Sequence, residues 1–241
     1  MYSTAIYSDH VADPGPMRAL AQRLRTARSD TWHFILRRGR LRKLIKRAAK
    51  ARFEGRFGFM FPENPNLFPP DYADLENLIN RVLELKPARV LEMGGGQSTY
   101  ALAFAVSRLR KAGLPCEFVT LDQSAEYLAV TRANLPESLR DVPVCLHSQL
   151  HVATKDGNKM SFFDDLPQGV FNFVYEDRCD HPEAPIAGDL LLLEERAIAA
   201  DAPFSFTIDT MVATARMCKH RMRRRYWVTQ EYTTGTNYLQ A

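Results

Sequence analysis

The segment Arg89-Val90-Leu91-Glu92-Met93-Gly94-Gly95-Gly96-Gln97-Ser98-Thr99 constrains this chain more than any other. A short apolar run ends in a carboxylate, passes through three glycines and opens into the helical stretch Tyr100–Ala105. Glycines at a strand-to-helix junction let the backbone turn sharply and approach a ligand with no side chain between them. The turn lacks the Lys-Ser/Thr ending of a loop that grips triphosphates. Thr99 also stands where the G-x-G-x-x-G dinucleotide pattern needs its third glycine. What remains is Glu-x-Gly-x-Gly-x-Ser, with the acid before the turn.

Downstream, apolar runs alternate with helical stretches. Glu117–Leu121 reads as a second strand with Asp122 at its carboxyl end, and the helix from about Ser124 to Leu135 stops before Pro136. Val142–Leu146 reads as a third strand tipped by His147 and Ser148, and Phe171–Tyr175 as a fourth tipped by Glu176 and Asp177. A helix over 186–200 leads to a fifth strand, Phe204–Ile208, ending in Asp209-Thr210. A helix near 212–221 precedes two last strands, about 226–231 and 237–240, joined around Gly235. Strands alternating with helices imply a mostly parallel α/β sheet covered on both faces. In such sheets ligands lie over the carboxyl ends of the strands, so a carboxylate at position 122 is placed to accept hydrogen bonds from ribose hydroxyls.

Upstream the chain is different. From Arg18 to Arg56 there are 14 Lys or Arg against two acids, a net charge of +12, while the remainder carries −8. Residues 1–56 therefore read as a basic helical extension, with helical pieces at about 17–38 and 40–51 interrupted near Gly39. Leu41, Leu44, Ile45 and Ala48 follow helical spacing and read as its apolar stripe. Such a segment suits an anionic membrane surface, an acidic partner, nucleic acid, or packing against the body or a second copy in a homodimer. Residues 57–70, with Phe57, Phe59, Phe61 and four prolines, read as a connector: either a lid over the acceptor site or a plug fixing the arm to the core. Asp71 caps a helix that leads into the first strand, so residues 71–241 form the main domain.

The composition, 46% apolar and 25% charged, is that of a globular protein. Cys116, Cys145, Cys179 and Cys218 form no C-x-x-C pair, so reduced thiols are expected. With no signal-like amino terminus and no apolar run near 20 residues, the expected location is cytoplasmic, with peripheral membrane attachment as a variant.

The glycine turn, Asp122, and a closing strand pair after five βα units together resemble class I S-adenosylmethionine-dependent methyltransferases. Val90-Leu91-Glu92, Gly94, Gly96, Ser98-Thr99, Asp177 and Asp209 look most like the small-molecule O-methyltransferase group. The resemblance covers about 71–241 and implies a Rossmann-like seven-stranded sheet, mostly parallel with a final antiparallel strand. It also implies cofactor contacts: Glu92, Gly94, Gly95, Gly96 and Ser98 beside the methionine part, Asp122 on the ribose, Gln123 beside the adenine, and His147 and Ser148 near the adenine edge. The basic arm has no counterpart in the family.

A hydroxyl acceptor must lose its proton as it attacks, so a base at a strand tip is expected. Asp177 ranks first, then Glu176 and His181, with His151 last. Some relatives hold magnesium between an Asp after strand four and an Asp-Asn after strand five. Here Asp177 and Asp209-Thr210 match two carboxylates and lose the amide, so the cofactor is expected to act without metal, with Asp177 and Asp209 as the lesser metal reading. The Asn-Pro-Pro-aromatic signature of amine-methylating enzymes is absent after strand four, where Glu176-Asp177-Arg178-Cys179 stand. A hydroxyl of a small molecule or glycan is the preferred acceptor, and the basic cluster from Arg216 to Arg225 reads as an acidic-acceptor contact or a solvated helix face. An RNA-modifying enzyme using the basic arm, and a non-catalytic membrane- or partner-associated protein keeping the fold, are the alternatives.

Overall fold

The computed structural model describes residues 3–8, 40–178, 183–184, 186–209, 212–224, 226–233 and 236–240. In chain order the elements are β1 (Ser3–Ser8), α1 (Arg40–Phe57), α2 (Tyr72–Leu85), β2 (Arg89–Met93), α3 (Gln97–Lys111), β3 (Glu117–Asp122) and α4 (Ala125–Asn134). There follow β4 (Val144–His147), β5 (Leu150–Lys155), β6 (Asn158–Phe163), β7 (Phe173–Glu176), α5 (Asp189–Ala199), β8 (Ser205–Ile208), α6 (Val212–Arg221), β9 (Trp227–Thr233) and β10 (Thr236–Gln240).

One sheet runs in the order β10-β9-β1-β8-β7-β2-β3-β4. Its centre is parallel from β8 to β4, in the register Val90 opposite Phe118 and Phe173. The chain leaves β2 toward β3 and β4, then returns to β7 on the other side of β2. The glycine turn after β2 thus lies at the point where the winding reverses.

Side chains alternate across this sheet. Val90, Phe118 and Phe173 face a core built with α2 and α3, whereas Leu91, Val119 and Val174 face a second core built with α5, α6 and β6. That two-sided burial explains why the central strands read as continuous apolar runs. The helices begin and end on local signals. Asp71 accepts the Ala73 N–H at the start of α2, and Ser124 accepts the Tyr127 N–H at the start of α4.

Three expectations are corrected. The sheet does not have seven strands: eight are described, five of them parallel, and Ser3–Ser8 contributes one instead of belonging to a helical arm. This strand pairs antiparallel with β8, Ala5 opposite Ile208, and its place is set by a partner some 200 residues away, beyond any local pattern. The expected antiparallel pair at the end of the chain is present as β9 and β10. Second, β5 and β6 form a separate antiparallel hairpin between the third and fourth expected strands, where no element was expected. Asp156 and Gly157 both have positive φ, the backbone of a two-residue turn, and Asp-Gly between alternating segments is the signal that marks it.

Third, the apolar stripe of the arm is turned. On α1 the core-facing residues are Ala49 and Phe53, with Ile45 half-buried, while Leu44 and Ala48 are exposed. Phe53 explains the rotation: it is fully buried among Phe57, Phe59, Phe61 and Tyr72, with ring centroids 4.7 to 5.4 Å away. Phe59 stacks on Tyr100 of α3 at 5.0 Å. Arg52 and Arg56 clamp Glu76 of α2 at 2.7 and 2.9 Å. Residues 57–61 therefore bind α1 to the core as a plug. The expected helix over 17–38 and the break near Gly39 fall outside the described residues.

A candidate cofactor and acceptor cavity

A cavity of about 750 Å³ opens over the carboxyl ends of β2, β3, β7 and β8. One wall is the turn Gly94–Gly96 with Ser98, and Asp122, Gln123 and Tyr127 form the next. Tyr175, Asp177 and Asp209 stand across from them. Lys46 of α1, Phe68 to Pro70 of the connector, and Asp74 of α2 close the mouth.

The glycine turn has its shape for steric reasons. Gly94 sits at φ +98°, and a Cβ there would lie 2.5 Å from the backbone N of Arg178. Two loops pass so closely at this point that only glycine fits. Gly96 adopts φ +153° and donates its N–H to Thr99 Oγ1 at 3.0 Å. The Thr99 hydroxyl donates in turn to Glu92 Oε2 at 2.6 Å. Glu92 thus lies beneath the turn, fully buried, and does not line the cavity. Burial pushes its carboxyl up to about 7, while the Thr99, Ser98 and Thr120 hydroxyls draw it back.

Asp122 ties the second wall to the first. Its Oδ2 accepts the Gly95 N–H at 2.8 Å and its Oδ1 accepts the Ser124 N–H at 2.7 Å. Each oxygen keeps a further lone pair for a ligand hydroxyl. Tyr127 brings its hydroxyl within 3.4 Å of where a Cβ on Gly96 would stand.

On the opposite side the Tyr175 hydroxyl donates to Asp209 Oδ2 at 3.2 Å, and Asp177 stands beside it. Asp177 is partly exposed at the cavity wall, yet the protein around it desolvates it strongly. Burial, then the charges of Asp209, Glu92 and Glu176, hold its carboxyl well above the usual carboxylate range. Burial and the same acidic surroundings raise the Tyr175 phenol.

The remaining sequence-singled residues lie elsewhere. Glu176 is in the core, where Arg178 grips it at 2.7 and 2.9 Å and reaches Asp189 at 2.6 Å. With both oxygens bound to a guanidinium and no exposure, it is a structural ion-pair member and no candidate base. Ser148 is buried, and its Oγ accepts the Asp165 N–H at 2.8 Å, away from the cavity. His147 is exposed at the tip of β4 and lies 3.2 Å from the Gln123 carbonyl, outside the cavity wall. His151 sits on the β5–β6 hairpin, paired with Asp164 at 2.6 Å. His181 and Thr210 fall outside the described residues. Among the described residues no group of three or more His, Cys, Asp or Glu side chains is placed to hold a metal ion. In the basic cluster Arg224 caps the carbonyls of Ala197 and Ala202, and Arg221 and Arg223 pair with Asp156 and Glu195.

Sequence reasoning missed Tyr127, Tyr175, Asp74, Lys46 and Phe68. Tyr175 had a visible signal, as the last aromatic before a strand-tip acid. Tyr127 reaches it from the first turn of α4, and Asp74, Lys46 and Phe68 reach it only because α2, α1 and the connector fold over it.

No protein-family model matches the sequence, and no curated protein is similar to it. Partial likeness is found to solved structures. An SAH-bound methyltransferase from Podospora anserina is 18% identical over 53% of this chain and 48% of its own, with a TM-score of 0.33. An O-methyltransferase from Bacillus cereus in complex with SAH is 17% identical over 66% and 64%, with a TM-score of 0.31. A putative O-methyltransferase from Klebsiella pneumoniae is 19% identical over 73% and 69%, with a TM-score of 0.34. The match thus spans about half the length of the first and under two-thirds of the second.

Proposed function

We infer that this chain is an S-adenosylmethionine-dependent methyltransferase whose acceptor is a hydroxyl of a small molecule or glycan. One observation carries the reading. A strand-tip carboxylate, Asp122, is joined to a three-glycine turn at the winding reversal, and both face a cavity with an acid–phenol–acid group on its far side.

The residues present fit such a cofactor. Gly94, Gly95 and Gly96 leave bare backbone on the cavity wall beside Ser98 and Asp122, a cradle with no side chain between it and an amino-acid tail or a ribose. The helix α3, 15 residues long, begins at the same wall with Gln97 and Ser98, so its positive dipole end lies at the cavity, which suits a carboxylate. Asp122 would hold the ribose hydroxyls, the turn and Ser98 the amino-acid end, and Gln123 and Tyr127 the base. When bound, the cofactor supplies an electrophilic methyl group on a sulfonium.

The protein's own contribution is alignment and proton removal. The acceptor oxygen must sit in line with the departing sulfur, and Phe68, Pro69 and Asp74 at the mouth confine it there. Asp177, with the Tyr175 hydroxyl beside it, would take the proton of the acceptor hydroxyl. The raised proton affinity of Asp177 makes it a stronger base than an exposed carboxylate.

Calorimetry with S-adenosylmethionine and its demethylated product tests the cofactor half. Methyl transfer from labelled cofactor to a metabolite pool, with and without magnesium, tests the acceptor half. Absence of binding by either nucleoside removes the reading. Methylation confined to amines leaves the cofactor site and removes the hydroxyl acceptor.

A further inference from the structure

The α1 helix presents two apolar faces. Ile45, Ala49 and Phe53 face the core, and at 100° per residue Leu44 and Ala51 fall on the far side with Ala48 at its edge, all three exposed. Leu44 is 59% exposed, and Phe68 on the cavity rim is 74% exposed. These two are half of the four large apolar side chains exposed among the described residues, and both belong to the same end of the molecule. Lys46 links them: it lies on α1, lines the cavity beside Phe68, and pairs with Asp71 at 3.5 Å. Lys43, Arg47 and Lys50, all exposed, flank the outward ridge of α1 on the cavity side. Glu54 is the one acid in the helix.

We propose that this face, the outward ridge of α1 with Phe68, docks the protein on an anionic phospholipid surface and so turns the cavity mouth toward the lipid headgroups. An aliphatic ridge bordered by cations matches an interface that is apolar below and negatively charged above. A nucleic acid offers its phosphates to the same cations and a base to Phe68, but it has no use for Leu44, Ala48 and Ala51, which carry neither a hydrogen-bonding group nor a stacking ring. Net charge supports the orientation as well. The described helix 40–56 carries eight Lys or Arg against Glu54, a net charge of +7, so an anionic surface attracts this end. This docking does not depend on the methyltransferase reading, because Lys43, Leu44 and Arg47 lie outside the cavity.

The test uses the full-length protein with phosphatidylcholine vesicles, with and without phosphatidylglycerol, read by co-sedimentation across a salt series. Binding is expected only with the anionic lipid and weakens as salt rises. The double substitution Lys43→Gln/Arg47→Gln lowers the association constant roughly thirtyfold, about fivefold per cation. Leu44→Ser weakens binding without changing its salt dependence. Both variants keep the wild-type unfolding midpoint, since the side chains are exposed. Failure to bind anionic vesicles at low salt overturns the proposal, as does binding that these substitutions leave untouched. Single-stranded RNA that displaces the protein from vesicles, with an affinity unaffected by Leu44→Ser, overturns it in favour of nucleic acid. A dimer in sedimentation velocity that Leu44→Ser dissolves overturns it in favour of a second copy.

Discussion

Asp122 accepts the backbone N–H of Gly95 at 2.8 Å, so the tip of β3 and the glycine turn after β2 are held as one rigid edge. The same carboxylate accepts the Ser124 N–H, which orients the start of α4. A single side chain therefore shapes the cavity wall and offers its remaining lone pairs to a ligand.

Replacing Asp122 with Ala removes both backbone contacts and the proposed ribose contacts. Charge-assisted hydrogen bonds contribute about 1.5–3 kcal/mol each, so affinity for the demethylated cofactor falls at least about a hundredfold in calorimetry. Unchanged affinity removes the ribose assignment.

Gly94→Ala meets two obstacles together. The φ of +98° strains any side-chain-bearing residue, and the new Cβ would stand 2.5 Å from the Arg178 backbone N, which cannot swing aside. A stability loss of about 3 kcal/mol or more is expected in urea unfolding, with cofactor binding lost in parallel. A variant as stable as the wild type contradicts the close approach of these two loops.

Asp177→Asn keeps the shape of the cavity wall and removes the base. Methyl transfer to the acceptor slows by roughly 10²–10⁴-fold while cofactor affinity stays within a few-fold. In the wild-type enzyme Asp177 must be ionised to accept a proton, and burial with its acidic neighbours raises its proton affinity. The rate therefore climbs with pH through an inflection well above the ordinary carboxylate range. A rate already flat from pH 5 upward assigns the proton to another group.

Glu92 makes stability depend on pH in the opposite sense to a salt-bridged carboxylate. Its value rises from 4.5 in the unfolded chain to about 7 when folded, chiefly through burial. Between these limits the folded state holds the proton and the unfolded state has lost it. Stability is therefore full below pH 4.5 and declines as pH rises to about 7, by about 3 kcal/mol in all. Glu92→Gln, an uncharged isostere, removes that decline. Unfolding midpoints of the two proteins should agree near pH 4.5 and separate above pH 7, with the variant the more stable.

Arg178 holds two fully buried carboxylates, Glu176 and Asp189, and stacks its guanidinium over Phe163 at 4.5 Å from the ring centre. Its removal in Arg178→Ala leaves both acids without a counter-charge. A loss of about 3–5 kcal/mol is expected in urea unfolding. Rescue of part of this loss by adding Glu176→Gln identifies the uncompensated charge as its cause.

What could be read from the chain alone was whatever is written within a few neighbouring residues. The junction at Glu92–Thr99, the capping roles of Asp71 and Ser124, the apolar runs of β2, β3, β7 and β8, and the acids at their tips all depend on local backbone chemistry and a repeat of two or 3.6 residues. The Asp156-Gly157 hairpin was legible in the same way. Tertiary structure alone decided which tip residues face the cavity. Asp177 and Asp209 meet through Tyr175, while Glu176, one residue away from Asp177, points into the core toward Arg178, because successive strand side chains face opposite sides of the sheet. It also decided that Leu44 points outward, since burying Phe53 among four aromatic neighbours sets the rotation of α1 more strongly than a leucine can. And it placed Ser3–Ser8 beside β8, a pairing whose partners are too far apart in the chain for any local pattern to announce.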